Sequence, residues 1–210
     1  MRWTEFAVRE ARQTLNNWEK LHGKLQPPIP VEDIADLLYF LAIDTTNDLP
    51  SQFAGRLNIE ERIIEVRKSD ALVRQRFTIA HEVGHYCLHV IAEKLVLNGH
   101  GCSGDVISDA QDPSVLFEFE TPITNLSTPM ISNIKKQEAE SRRLEIQANS
   151  FAAELLMPAS LIEIAVQDLG LNIMPLAERF NVSKQAMQLR LEKLLFLPPA
   201  GPQSSFLADL

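Results

Sequence analysis

Two histidines one helical turn apart, His81 and His85, flank Glu82 in the pentapeptide HEVGH, inside the helix-like run RQRFTIAHEVGHYCLHVIAEKL. On a helix the four-residue step returns both imidazoles to one face, about 40° apart, so both can reach one cation. The segment must then be a helix, and the rest of the fold must bring a further ligand to it. Zinc suits the pair, because neutral imidazole is a borderline donor and the ion accepts three protein ligands plus water. Glu82 then lies beside the ion as a general base and not as a ligand. The alternative is a chance spacing on a helix surface, and context must decide.

A third ligand supplies that context. A metzincin would need glycine at position 88 and histidine at position 91, where this chain has Leu88 and Ile91. That leaves a carboxylate from a later helix, and the best source is LEIQANSFAAELLMP, where Glu145 and Asn149 share a helical face. Glu145 could bind the metal while Asn149 hydrogen-bonds the outer nitrogen of a ligand histidine and fixes its tautomer. Without HEVGH, Glu145 would read as an ordinary surface acid on an amphipathic helix. His89 extends the motif to HExxHxxxH, but three ligands on one straight helix would strain tetrahedral geometry, so it is expected beside a ligand or in packing. His22 and His100 have no partner pattern and read as solvated. The cysteines, Cys87 and Cys102, are too few for a disulfide framework; Cys87, off the ligand face, reads as buried packing.

Around this centre the chain reads as one ordinary domain with a small appendage. An amphipathic helix is expected over residues 3–21, with Trp3, Phe6, Ala7, Ala11, Leu15, Trp18 and Leu21 on one stripe. The Pro-rich HGKLQPPIP ends it, and a second helix starts after Pro30. A strand near LAIDTT and a hairpin over residues 52–67 follow. Ser69, Asp70 or Thr78 is expected to cap the HEVGH helix. Residues 98–137, rich in glycine and proline with no sustained period, read as a long loop or insertion. Helical periodicity returns in QEAESRRLEIQANSFAAELL and in two shorter segments near PLAERF and SKQAMQLRLEKLLF.

Charge narrows the partners. Twenty basic residues against 28 acidic ones give a net charge of -8, which disfavours wholesale coating of nucleic acid. Charges every few residues in MRWTEFAVREARQTL leave no signal peptide or membrane span, so a soluble, cytoplasmic protein with no membrane partner is expected.

RFTIAHEVGHYCLH followed by ExxANSFAAELLMP resembles the ImmA/IrrE family of zinc-dependent peptidases, from the helix after Pro30 to Pro158. LAERFNVSKQAMQLRLEKL is similar to the helix-turn-helix-like segment that members carry next. The resemblance implies that His81, His85 and Glu145 are zinc ligands and Glu82 the catalytic base. It also implies a protein substrate, a partner helix-turn-helix repressor whose cleavage relieves transcriptional repression. The sixty residues from His85 to Glu145 make 98–137 an insertion relative to the family.

The expected architecture is α+β. A zincin-like peptidase domain with a small antiparallel sheet spans residues 1–160, a helix-turn-helix-like segment spans 161–196, and a flexible tail spans 197–210. Two rival functions stand beside the peptidase. One is a DNA-binding regulator using Lys184, Gln185 and Arg190, disfavoured by the acidic total and by Glu178 and Glu192. The other is a noncatalytic interaction module with a structural metal, disfavoured because such zinc sites are usually closed by four protein ligands.

Overall fold

A computed structural model describes residues 3–50, 52–92, 101–103 and 128–198. Helix α1, Trp3–His22, buries Ala7, Ala11, Leu15 and Trp18 along one stripe. Trp3 and Leu21, expected at the ends of that stripe, are exposed. Gly23, at φ +88°, turns the chain out of the helix in a conformation that favours glycine. Helix α2, Val31–Asp33, runs directly into a π-helical turn at Ile34–Leu38. Arg76 ties this region to the centre of the molecule by pairing with Glu32 at 2.9 Å and donating to Ile29 O at 2.6 Å.

Strands β1, Ala42–Thr46, β2, Phe53–Asn58, β3, Ile63–Arg67, and β4, Gly101–Ser103, form a sheet in the order β1-β3-β2-β4. The β2–β3 hairpin is the expected one. The sheet is not purely antiparallel, however: β1 pairs parallel with β3, Ala42 opposite Ile63. The return strand of the hairpin inserts between β1 and β2, and therefore runs in the direction of β1. Alternation along β3 buries Ile64 and Val66 in the main core.

Helix α3, Leu72–His85, carries HEVGH and continues as a π-helix over Tyr86–Ala92. Among the described residues no side chain caps it. Ala71 occupies the N-cap, Asp70 instead accepts from Arg74 Nε at 3.1 Å, and Thr78 is buried within the helix. Helix α4 spans Thr128–Leu156, so it begins inside the stretch expected to be a loop. Together with β4 it puts regular structure at both ends of 98–137; residues 98–100 and 104–127 lie outside the described residues. Pro129 falls in the first turn of α4, where the missing N–H costs no helical hydrogen bond.

Helices α5, Ala159–Leu169, α6, Ile173–Phe180, and α7, Lys184–Lys193, complete the chain to residue 198; the expected tail lies outside the described residues from 199 onward. Asn172 caps α6 by accepting from Met174 N–H, and Ser183 caps α7 by accepting from Ala186 N–H. Asn181, left-handed at φ 50°, makes the turn between them. Phe180, Met187 and Leu191 belong to the same buried cluster as Phe151 and Leu155 of α4 and Val83 of α3. Arg190, expected to face a DNA groove, is 4% exposed, donates to Met157 O at 2.9 Å and pairs with buried Glu154. It serves the core and is withdrawn from any groove. Among the described residues no single helix is long and apolar enough to cross a membrane.

Candidate metal centre

The site forms where α3 and α4 pack against each other. Gly84 permits the approach: a Cβ there would stand 3.1 Å from Phe151 Cδ1 and 3.2 Å from Ala148 O. At that spacing Glu145, three residues before Ala148, reaches the two histidines of HEVGH. Glu145 Oε2 lies 3.3 Å from His81 Nε2, and its Oε1 lies 3.2 Å from His85 Nε2. The two Nε2 atoms are 3.0 Å apart. Among the described residues these three side chains form the group that could hold a metal ion, their donor atoms all within 4.8 Å of one another.

The donors fit zinc in kind and spacing. Two imidazole nitrogens and one carboxylate are a common three-ligand set of catalytic zinc sites. Ligands about 2.0–2.1 Å from a tetrahedral ion lie roughly 3.3 Å from each other, close to the three separations found here. His81 is also oriented for it. Its Nδ1 lies 2.9 Å from Asn149 Oδ1, which can only accept, so Nδ1 carries the proton of the neutral ring and Nε2 is left for a second proton or a cation. The sequence reading gives Asn149 a hydrogen bond to the outer nitrogen of a ligand histidine, and the structure places its amide oxygen against His81 Nδ1.

Electrostatics agree. Burial pushes the Glu145 carboxyl up, but hydrogen bonds from His81 and His85 and their charge outweigh it and hold the group well below the usual carboxylate range. Burial pulls His81 down, and the Glu145 carboxylate, the charge of Glu82 and the Asn149 hydrogen bond outweigh it, raising its pKa. The cluster therefore presents an anionic carboxylate to two imidazoles, an arrangement that attracts a cation.

Glu82 is 1% exposed and lies over β2. A Cβ built on Gly55 would stand 3.5 Å from Glu82 Oε1 and would collide with Thr78 Cγ2. Only a residue without a side chain lets β2 run this close to α3, and the strand thereby roofs Glu82. His89 is fully buried and, among the described residues, belongs to no ligand group; its Nδ1 lies 3.0 Å from His85 Nδ1, on the far side of that ring from the cluster. Burial, then the charge of His85, pushes His89 down to about 3, so it is neutral near pH 7.

The remaining sequence readings divide. Cys87 is buried as expected, and burial pushes its thiol up to about 12. His22 is exposed and stacks on Trp18 with ring centroids 4.0 Å apart. His100 and the side chain of Cys102 lie outside the described residues. Sequence reasoning missed Gln147, 1% exposed, with Oε1 3.4 Å from His89 Nε2. The only signal in the sequence is its place between Glu145 and Asn149.

Fold and site together define an α+β domain in which one helix supplies HExxH and a second supplies the acid. The sequence pattern of the IrrE N-terminal-like domain, Peptidase M78, matches residues 39–101 and 131–192, and the chain belongs to that family. No curated protein sequence matches it. Among solved structures, a Mycobacterium tuberculosis transcriptional regulator has a similar fold, with a TM-score of 0.53 at 14% identity. The likeness covers 88% of this chain and 46% of that one, so this chain spans under half of the regulator's length.

Proposed function

We propose that this chain is a zinc-dependent endopeptidase whose substrate is a helix-turn-helix transcriptional repressor. His81, His85 and Glu145 hold the ion, and Glu82 is the catalytic base. The observation that carries the reading is the convergence of His81 Nε2, His85 Nε2 and a Glu145 oxygen within 4.8 Å. Membership of a peptidase family supports it.

A zinc ion bound there supplies Lewis acidity toward a scissile carbonyl and lowers the pKa of water toward neutrality. The side chains do the rest. Asn149 holds the His81 ring with its Nε2 lone pair toward the cluster. Glu82, shielded from bulk water by β2, takes a proton from the attacking water and returns it to the leaving amine as the peptide bond breaks. A structural zinc site would normally be closed by a fourth protein ligand. Among the described residues the cluster has three, which leaves room for water and favours catalysis.

The test is incubation of zinc-loaded protein with the product of a neighbouring repressor gene, followed by mass spectrometry of the fragments. Discrete cleavage is expected. The Glu82→Gln variant should keep zinc and lose about 10²- to 10⁴-fold in rate. Cleavage at the wild-type rate by that variant would reject the mechanism, and an intact repressor would reject the substrate.

A further inference from the structure

His85 poses a problem that His81 does not. His81 is anchored by an amide oxygen, which can only accept a hydrogen bond. His85 Nδ1 instead meets another imidazole nitrogen, His89 Nδ1, at 3.0 Å. A hydrogen bond between two ring nitrogens can run either way, and its direction decides whether His85 can bind a cation. If His89 donates, the proton of neutral His85 sits on Nε2, aimed at His81 and Glu145, and that nitrogen has no lone pair to offer. If His85 donates, its Nε2 lone pair faces the cluster.

The far side of His89 points to one direction. Its Nε2 lies 3.4 Å from Gln147 Oε1, an acceptor. The His89 proton is therefore on Nε2, its Nδ1 carries a lone pair, and His85 Nδ1–H donates to it. No water is needed to complete the chain, because His89 is fully buried and Gln147 is 1% exposed. We infer that Gln147, acting through His89, is a positioning residue that holds His85 in the Nδ1–H tautomer and so turns its Nε2 lone pair toward the metal site. The inference deepens the proposed function and rests on its assignment of His85 as a ligand. Both ligand imidazoles are then set by one stretch of α4: Asn149 holds His81 directly, and Gln147 holds His85 through a bridging ring.

Long-range ¹H–¹⁵N correlation spectra of the full-length, imidazole-labelled, zinc-free protein read the tautomers directly. They should show His85 protonated at Nδ1 and His89 at Nε2; the reverse pattern overturns the relay. Zinc affinity, measured by competition with a chromophoric chelator, supplies the second readout. Gln147→Met and His89→Leu remove an acceptor and should weaken zinc binding by about ten- to a hundredfold. His89→Asn places an amide oxygen where Nδ1 stood, and should bind zinc close to wild type. Unchanged affinity in His89→Leu, or equal loss in His89→Asn and His89→Leu, overturns the inference in favour of simple packing. Wild-type protein that takes up no zinc rejects the metal reading, while the spectra of the same sample still decide the relay. They do so too if the Gln147→Met variant fails to fold.

Discussion

Gly84 of α3 and Phe151 of α4 touch so closely that a β-carbon on the glycine would stand 3.1 Å from the phenyl Cδ1. This contact sets the distance between the helix bearing the two histidines and the helix bearing Glu145. Gly84→Val should force the helices apart, destabilise the fold by about 1–3 kcal/mol through overpacking, and weaken zinc binding. Urea unfolding and chelator competition measure the two effects. Wild-type zinc affinity in a folded Gly84→Val protein would show that Glu145 reaches the histidines without this contact.

Gly55 makes the matching approach on the other side of α3. An alanine there meets Thr78 Cγ2 and stands 3.0 Å from Glu65 O. Gly55→Ala should cost about 1–3 kcal/mol. Thr78→Ala should recover part of that loss, giving a coupling of about 0.5–3 kcal/mol in a double-mutant cycle. Strict additivity of the two substitutions would mean that β2 simply moves aside.

Zinc at a hundred times its dissociation constant should stabilise the folded protein by about 2.7 kcal/mol. For a chain of this size that raises Tm by roughly 5–10 °C, and EDTA should reverse it. Glu145→Ala should abolish most of the shift. If its zinc-dependent rise equals that of wild type, Glu145 is not the third ligand.

Glu154 lies farther along α4, joining Arg12 of α1 at 2.7 Å and Arg190 of α7. Its side chain and that of Arg190 are each 3% exposed. Glu154→Ala leaves Arg190 buried without its counter-charge, which costs about 3–5 kcal/mol. Denaturant unfolding should show a loss of that size. A loss under about 1 kcal/mol, the worth of an exposed pair, would mean the network contributes no more than a surface salt bridge.

The parts legible in the sequence are those fixed by local periodicity. His81 and His85 share a face because of their four-residue spacing, and Glu145 and Asn149 share one for the same reason. The stripe of α1 and the β2–β3 hairpin follow from equally short-range patterns. What escaped depends on how distant elements meet. The parallel pairing of β1 with β3 follows from where the hairpin inserts, which no feature of LAIDTT encodes. Arg190 reads as a surface cation until Glu154 and Met157 O are brought to it. Gln147 gains its role only because α4 crosses α3 where the π-helical turn carries His89. Thr128 and Pro129 are compatible with a helix start but lie at the end of a Gly- and Pro-rich stretch that masks it.

Glu145, Gln147 and Asn149 alternate along little more than one turn of a single rigid rod. Any slide or roll of α4 therefore detunes the acid and the two amide anchors together, and none can be adjusted separately. A centre wired this way has in effect two settings, assembled or scattered, and its working state is governed by the seating of one helix.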